Sequence, residues 1–173
     1  MSDTLITVIA IALAAVLMFV FPLMTMSDRT DDVAQLTVEA ATTDFVDNIR
    51  TTGRITQTRY NEFVQTITST GNTYDVEMVV QVKDENLGKK VSQAQADKIG
   101  ENVYYSVYTS QIEEEMESNG AYYCKEGDIV SVSVKNTNQT ISQQLKNFFY
   151  TVTGNDTYTI AAEHAGIITA NGK

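Results

Sequence analysis

The 173-residue sequence contains one cysteine, one histidine, one proline and no tryptophan. The single cysteine, Cys124, excludes an intramolecular disulfide. One cysteine and one histidine are too few ligands for a metal cluster, so we expect no bound metal. An exported domain without disulfides is more typical of a Gram-positive bacterial surface than of a eukaryotic secreted protein.

Positive charge is also scarce, because 12 Lys and Arg residues stand against 22 Asp and Glu residues. The net charge of −10 excludes a basic stripe, so we expect no nucleic-acid partner and no polybasic attraction to anionic lipid. The glycines Gly100, Gly120 and Gly127 lack the spacing of a phosphate-binding loop. We therefore expect no cofactor.

The longest apolar segment is Leu5–Met24, a run of 20 residues without a charge. As a helix it matches the roughly 30 Å hydrocarbon core of a bilayer. The sequence therefore predicts a transmembrane anchor over residues 1–26 and one further domain over residues 27–173. A cleavable signal peptide is the alternative, but the basic n-region and a small-residue cleavage site are lacking, so we expect the segment to be retained.

The orientation of this anchor is weakly encoded, because Arg29 alone lies close to its ends. We expect a single-pass membrane protein with its acidic C-terminal domain on the extracytoplasmic side, or a subunit of a cell-surface filament. Pro22 lies near the end of the apolar run and removes one backbone hydrogen bond, so we predict that it interrupts the helix there. The alternative is a tolerated membrane proline.

Helical periodicity continues beyond the anchor and predicts a single helix from about residue 3 to about 51, ended by Gly53. Its acidic residues, Asp28, Asp31 and Asp32 among them, are expected on the exposed side. The residues expected on one buried face are Val33, Leu36, Ala40, Ala41, Phe45 and Ile49.

The remaining sequence predicts an α+β domain with an antiparallel sheet packed on this helix. We expect Val130, Val132 and Val134 to form its core against Phe45, Ile49, Leu145 and Phe148. The predicted elements are a helix from Thr56 to Gly71, a strand Tyr74–Val82, a polar loop 83–102, a helix Val103–Ser118, a hairpin of Ala121–Lys125 and Ile129–Lys135 turning at Gly127, a helix Ile141–Phe149 capped by Asn138 or Thr140, a strand Tyr158–Ile168 and a loose tail 171–173.

Three groups of side chains are candidates for chemistry, and none has the neighbours that chemistry requires. His164 has no carboxylate or nucleophile at a suggestive spacing, so we interpret it as structural. Cys124 is expected to be a buried apolar thiol, and the glutamates between Glu113 and Glu117 to form a solvated face. We therefore expect no catalytic residues and no enzymatic activity.

The anchor itself carries the candidate assembly residues. Asp3 is a charge at its mouth, which either caps the helix or pairs with an amine of a neighbouring chain. Small side chains such as Ala10 and Ala14 allow helices to approach closely. The assembly and anchor residues that we predict are Asp3, Leu5, Ala10, Ala14, Leu17, Phe19 and Pro22.

With these features the sequence resembles the pilin-like, membrane-anchored proteins of Firmicutes tight-adherence (Tad, or Flp) pilus systems, the TadE-like minor pilins. The stretches that carry the resemblance are the anchor with residues 27–35, 46–56 with Tyr60, 70–78, 127–132 and 165–168. The resemblance implies a pilin-like fold and a non-enzymatic part in a surface filament or its assembly. The implied partners are other pilin-like subunits and the pilus assembly machinery, in homo- or hetero-oligomers formed through the N-terminal helix.

Prepilins usually carry a basic leader that a dedicated peptidase removes, whereas the apolar segment here begins almost at Met1. We therefore expect either a mature subunit that polymerises or an accessory that stays in the membrane. The competing hypothesis is a single-pass envelope binding or scaffold protein of a secretion or assembly apparatus, which does not polymerise.

Overall fold

The computed structural model describes residues 2–85, 104–150 and 159–172. Within these ranges the chain forms a long helix followed by a small antiparallel domain, consistent with the predicted α+β class. Its elements in chain order are α1 (Ser2–Thr52), β1 (Arg54–Thr56), α2 (Gln57–Thr68), β2 (Tyr74–Lys83), β3 (Tyr104–Tyr108), α3 (Thr109–Asn119), β4 (Ala121–Tyr123), β5 (Ile129–Asn136), α4 (Ile141–Tyr150) and β6 (Ala161–Ile167).

Helix α1 is the organising element of the fold. It contains 51 residues, which corresponds to a length of about 77 Å at 1.5 Å per residue. The prediction of one helix from the anchor into the domain is confirmed. The helix is continuous across the predicted boundary between residues 26 and 27.

The main sheet has four antiparallel strands in the order β3-β2-β5-β6. In the central pair Met78 lies opposite Val132 and Val80 opposite Val130, and all four side chains are fully buried. Period-two alternation therefore produces one apolar face, as predicted for β2 and β5. The C-terminal half of α1 packs against this sheet at β6 and β5.

Two sheet predictions are wrong. Residues 104–108, expected to be helical, form strand β3 beside β2, and the helix begins only at Thr109. Strand β4 pairs with β1 in a separate two-stranded sheet, so the predicted hairpin of β4 with β5 does not form. Most of the predicted loop 83–102 lies outside the described residues, as does the predicted start of the last strand at Tyr158.

The predicted apolar face of α1 is only partly buried. Phe45 and Ile49 are 4% and 1% exposed, but Val33 and Leu36 are 60% and 65% exposed and point away from the domain. These two pairs lie on different sides of a helix with 3.6 residues per turn. The buried face is instead completed by Ala34, Val38, Thr42 and Val46.

The core forms where α1 meets the sheet and helices α2 and α3. Its predicted members Val130, Val132 and Val134 are buried, together with Phe45 and Ile49. Phe45 also stacks on Phe63 of α2, with ring centroids 4.6 Å apart. The remaining predicted members, the side chains of residues 145 and 148, lie outside the described part of the chain.

Residues 171 and 172 of the predicted loose tail are held in place, contrary to that prediction, and residue 173 lies outside the described residues. Asn171 accepts a hydrogen bond from the backbone N–H of Glu126 at 2.9 Å, and the Gly172 N–H donates to the Cys124 carbonyl at 3.1 Å. Gly172 also lies directly against Gly53, whose φ of +67° and lack of a Cβ permit this close approach. Residues 171 and 172 therefore belong to the folded domain.

Candidate functional site

The N-terminal half of α1 stands apart from the folded core. Among the described residues, one helix near the N-terminus is long and apolar enough to cross a membrane, by length and composition alone, and its most apolar window has no residue buried in the chain. Most of its large apolar side chains are between 38% and 77% exposed, and Val20 and Met24 are partly buried. Apolar exposure on this scale is typical of a surface that contacts lipid or protein.

The seven predicted assembly residues are all exposed, but they do not share one face. At 3.6 residues per turn, one side of the helix carries Asp3, Ala10, Ala14 and Leu17. Leu5 and Phe19 lie on another side, and Pro22 lies between the two. Their role in assembly stays a prediction.

Pro22 does not interrupt α1, so the prediction of a break there is wrong. The helix runs without interruption from Ser2 to Thr52 with Pro22 inside it. A proline removes one bond from the helical ladder, by leaving the carbonyl of Met18 without its usual N–H donor. In a helix of 51 residues, the bonds on either side maintain the conformation. The structure agrees with the alternative, a tolerated proline.

The part of α1 that follows residue 26, called the stalk below, carries two aspartates that were expected on its exposed side. They instead bind the start of α4. Asp31 is 6% exposed and accepts a hydrogen bond from the Thr140 hydroxyl at 2.7 Å. Asp28 accepts one from the Ser142 hydroxyl. Carboxylates are favoured at a helix N-terminus because its free N–H groups carry partial positive charge. The two aspartates therefore fix α4 to the part of α1 that follows the anchor.

Thr140, not Asn138, is the residue that caps α4. Its hydroxyl accepts the Gln143 N–H at 3.2 Å, and the Gln143 side chain accepts the Thr140 N–H at 3.1 Å. This reciprocal pair is a capping box, whose sequence signature is Thr or Ser followed three residues later by Gln or Glu. The signature was available in the sequence, but the contact with Asp31 was not, because 109 residues separate the two side chains.

His164 lies near a carboxylate that its sequence neighbourhood does not suggest. Its Nε2 is 4.0 Å from an oxygen of Asp47 on α1, and that carboxylate also pairs with Arg50 at 2.7 Å. The Asp47 side chain is 51% exposed. A polar contact this exposed contributes little to stability. The arrangement fits a surface contact between β6 and α1.

Cys124 is buried, with 3% of its surface exposed, as the sequence predicts. Burial, with a smaller effect from Asp128, raises the pKa of its thiol to about 12. The thiolate is the reactive form of cysteine, so this thiol is held in its unreactive form at neutral pH. Among the described residues, no group of three or more His, Cys, Asp or Glu side chains is placed to hold a metal ion.

The glutamates of α3 point in several directions and do not converge. Glu113 accepts a hydrogen bond from the Tyr60 hydroxyl at 3.0 Å, whereas Glu115 accepts one from the Asn119 side chain. Burial, and next the bond to Glu113, raise the pKa of Tyr60 to about 12. The Glu113–Tyr60 bond therefore joins α3 to α2, and the prediction of a wholly solvated face is wrong for this one glutamate.

Comparison of the chain with protein-family models, with curated proteins and with solved structures finds no match.

Proposed function

We propose that the chain is a pilin-like structural or accessory protein of a bacterial surface filament or of its assembly system. It is held through the N-terminal half of α1, either in the membrane or among the helices of neighbouring subunits. Its α+β domain lies on the extracytoplasmic side.

One observation carries this proposal: an exposed apolar helix continues without a break into the core of a folded domain. Residues such as Leu5 and Phe19 are 62% and 71% exposed, whereas Val38 and Val46 of the same helix are fully buried. Exposure of such a long apolar surface to water is unfavourable, because each Å² of exposed apolar surface costs about 25 cal/mol of free energy. A continuous helix also transmits the position of the anchor directly to the domain.

The proposal is tested by locating the chain in cells. Membranes and mechanically sheared surface material are separated, and each is analysed by immunogold electron microscopy and mass spectrometry. We expect the chain in filaments, in the membrane fraction, or in both. Recovery only in the soluble fraction would contradict the proposal.

Asp3 provides a sharper test of assembly. An Asp3→Ala variant removes the single charge at the mouth of the anchor, and we expect fewer surface filaments by microscopy because a pairing partner for an amine is lost. The control is the double variant His164→Ala, Cys124→Ser, which we expect to leave filament number unchanged. Loss of filaments in the control alone would move the functional site into the domain.

A further inference from the structure

A second apolar surface continues from the anchor along the outward side of the stalk. Met26, Val33 and Leu36 are 69%, 60% and 65% exposed, and Ala40 is exposed as well. They lie about 180° around the helix from the buried residues that face the sheet. We call these four residues the outer stripe. The folded core does not use it.

The outer stripe has the spacing of a helix–helix contact. Met26, Val33 and Ala40 are seven residues apart, and Arg29 and Leu36 form a second seven-residue series offset by three. These are the a and d positions of a heptad repeat, at which one helix packs against another. The run Leu5–Met24 is uncharged throughout, so it accommodates this register as it does any other.

The two sides of the outer stripe are acidic. Asp32 and Glu39 are exposed at positions that precede an a residue. Thr43 is the next d position after Leu36, and Asp44 is exposed at the position that follows it. Such positions pair with charges on the partner helix. Arg29 lies beside the outer stripe, at a d position, and is the one cation on this side of α1. The outer stripe therefore complements a helix with basic flanks.

A second copy of this chain is a poor occupant. In a symmetric parallel pair each d residue meets its counterpart, so Arg29 would face Arg29 of the other copy. Glu39 would then face Asp44 of the other copy. Both contacts bring like charges together, and like-charge contacts destabilise a complex. The net charge of −10 per chain adds to the repulsion.

We propose that the outer stripe binds a helix of a different membrane-anchored protein, parallel to α1, with apolar a and d positions and with lysine or arginine flanks. This inference deepens the proposed function and rests on it for the parallel orientation, because two anchors in one bilayer align the helices that leave it. The apolar a and d residues of the partner pack against the outer stripe. The acidic flanks favour a partner helix whose flanking residues are basic.

The test uses the full chain in zwitterionic nanodiscs and two designed helical peptides as probes. Both peptides carry leucine and isoleucine at a and d, and they differ only in having lysine or glutamate at the flanks. We expect fluorescence anisotropy to give at least tenfold tighter binding of the lysine peptide. The double variant Glu39→Lys, Asp44→Lys should reverse this preference.

A variant in the outer stripe and a matched control distinguish binding at the outer stripe from nonspecific hydrophobic binding. Leu36→Ser should weaken binding of the lysine peptide at least tenfold, whereas Ile167→Ser, which alters an exposed isoleucine on β6, should not change it. Both positions are more than half exposed, so thermal unfolding should be the same for the two variants.

Equal binding of the two peptides, binding of neither, or equal effects of the two variants would overturn the inference. Disulfide-linked dimers of a Val33→Cys, Cys124→Ser variant in nanodiscs would assign the outer stripe to a second copy and overturn it as well. The proposed function fails on different grounds, by absence of the chain from filaments and membranes, so the two failures are distinguishable.

Discussion

Individual buried acidic side chains fix the ends of strands and helices in this domain. Asp128 is 2% exposed, and its two carboxylate oxygens accept the backbone N–H groups of Lys83 and Lys125 at 2.9 and 2.8 Å. It thereby joins the end of β2 to the turn before β5. Hydrogen bonds to a charged acceptor are worth more than neutral ones, and leaving such groups unpaired is costly.

Val132 is the residue at which a buried charge should be most damaging. It is fully buried at the centre of β5, opposite Met78. Val132→Asp buries an unpaired carboxylate and should lower the free energy of unfolding by about 3 kcal/mol or more. Chemical denaturation of the detergent-solubilised chain measures the loss. Gln81→Asp adds the same charge at an exposed position of β2 and should change stability by less than about 0.5 kcal/mol; equal effects would show that β5 is misplaced.

Cys124 should resist alkylation in the folded protein. With a pKa of about 12, about one thiol in 10,000 is ionised at pH 8, against about a quarter for an ordinary cysteine. Iodoacetamide should therefore react about a thousandfold more slowly with the native chain than with the chain in concentrated guanidinium chloride. The rate is followed by mass spectrometry. Similar rates in the two conditions would show that the thiol is accessible.

At the scale of elements, Thr140 both caps α4 and makes one of the two hydroxyl contacts that attach α4 to α1, beside the contact of Ser142 with Asp28. Thr140→Val removes both the cap of α4 and the bond to Asp31, so we expect a loss of about 1–3 kcal/mol. Thr140→Ser keeps the hydroxyl that makes both contacts and should lose much less. Hydrogen exchange of the α4 amides, compared between the two variants, measures the effect. Equal protection in both would show that the hydroxyl does not hold α4.

The elements that sequence reasoning predicted correctly are those defined by local periodicity. Apolar and polar residues alternate along most of β2 and β5, and α1 is apolar for many turns. Strand β3 was missed although Tyr104, Tyr105 and Tyr108 are residues that favour strands. Its five residues are followed directly by a longer helical segment, and the helical pattern of that segment was extended over them. The pairing of β4 with β1 was not predictable in this way, because it depends on the tertiary position of residues 54–56.

The candidate site was partly predictable. The exposed apolar half of α1 followed from a 20-residue apolar run, but the side of α1 that faces the domain did not. Val33 and Leu36 continue one apolar series, and Ala34 and Val38 begin another, so periodicity alone offers two faces. Contact with the sheet decides between them, and that contact was not encoded locally.

At the scale of the whole molecule, the domain should fold without the anchor. The inner face of α1 becomes buried at Asp31 and Ala34, beyond the apolar run. Deleting residues 2–26 should therefore yield a soluble domain with a cooperative thermal transition, measured by circular dichroism and gel filtration. Deleting residues 2–40 also removes Ala34 and Val38, and this control should abolish the transition. Aggregation of the shorter deletion would contradict a single exposed anchor.

The contact between α1 and β6 determines when this protein can fold. The Gln35 side chain bonds to the backbone of Ala161, 126 residues away, and Arg50 donates to the carbonyl of Ile167, 117 residues away. Contacts this distant in sequence give a high contact order, which slows folding. The inner face of α1 emerges early during synthesis and stays uncovered until residues 161–167 have left the ribosome. Under the proposed membrane anchoring, the chain completes its domain after its first helix is in place, and chaperones acting at this stage would meet the uncovered face of α1.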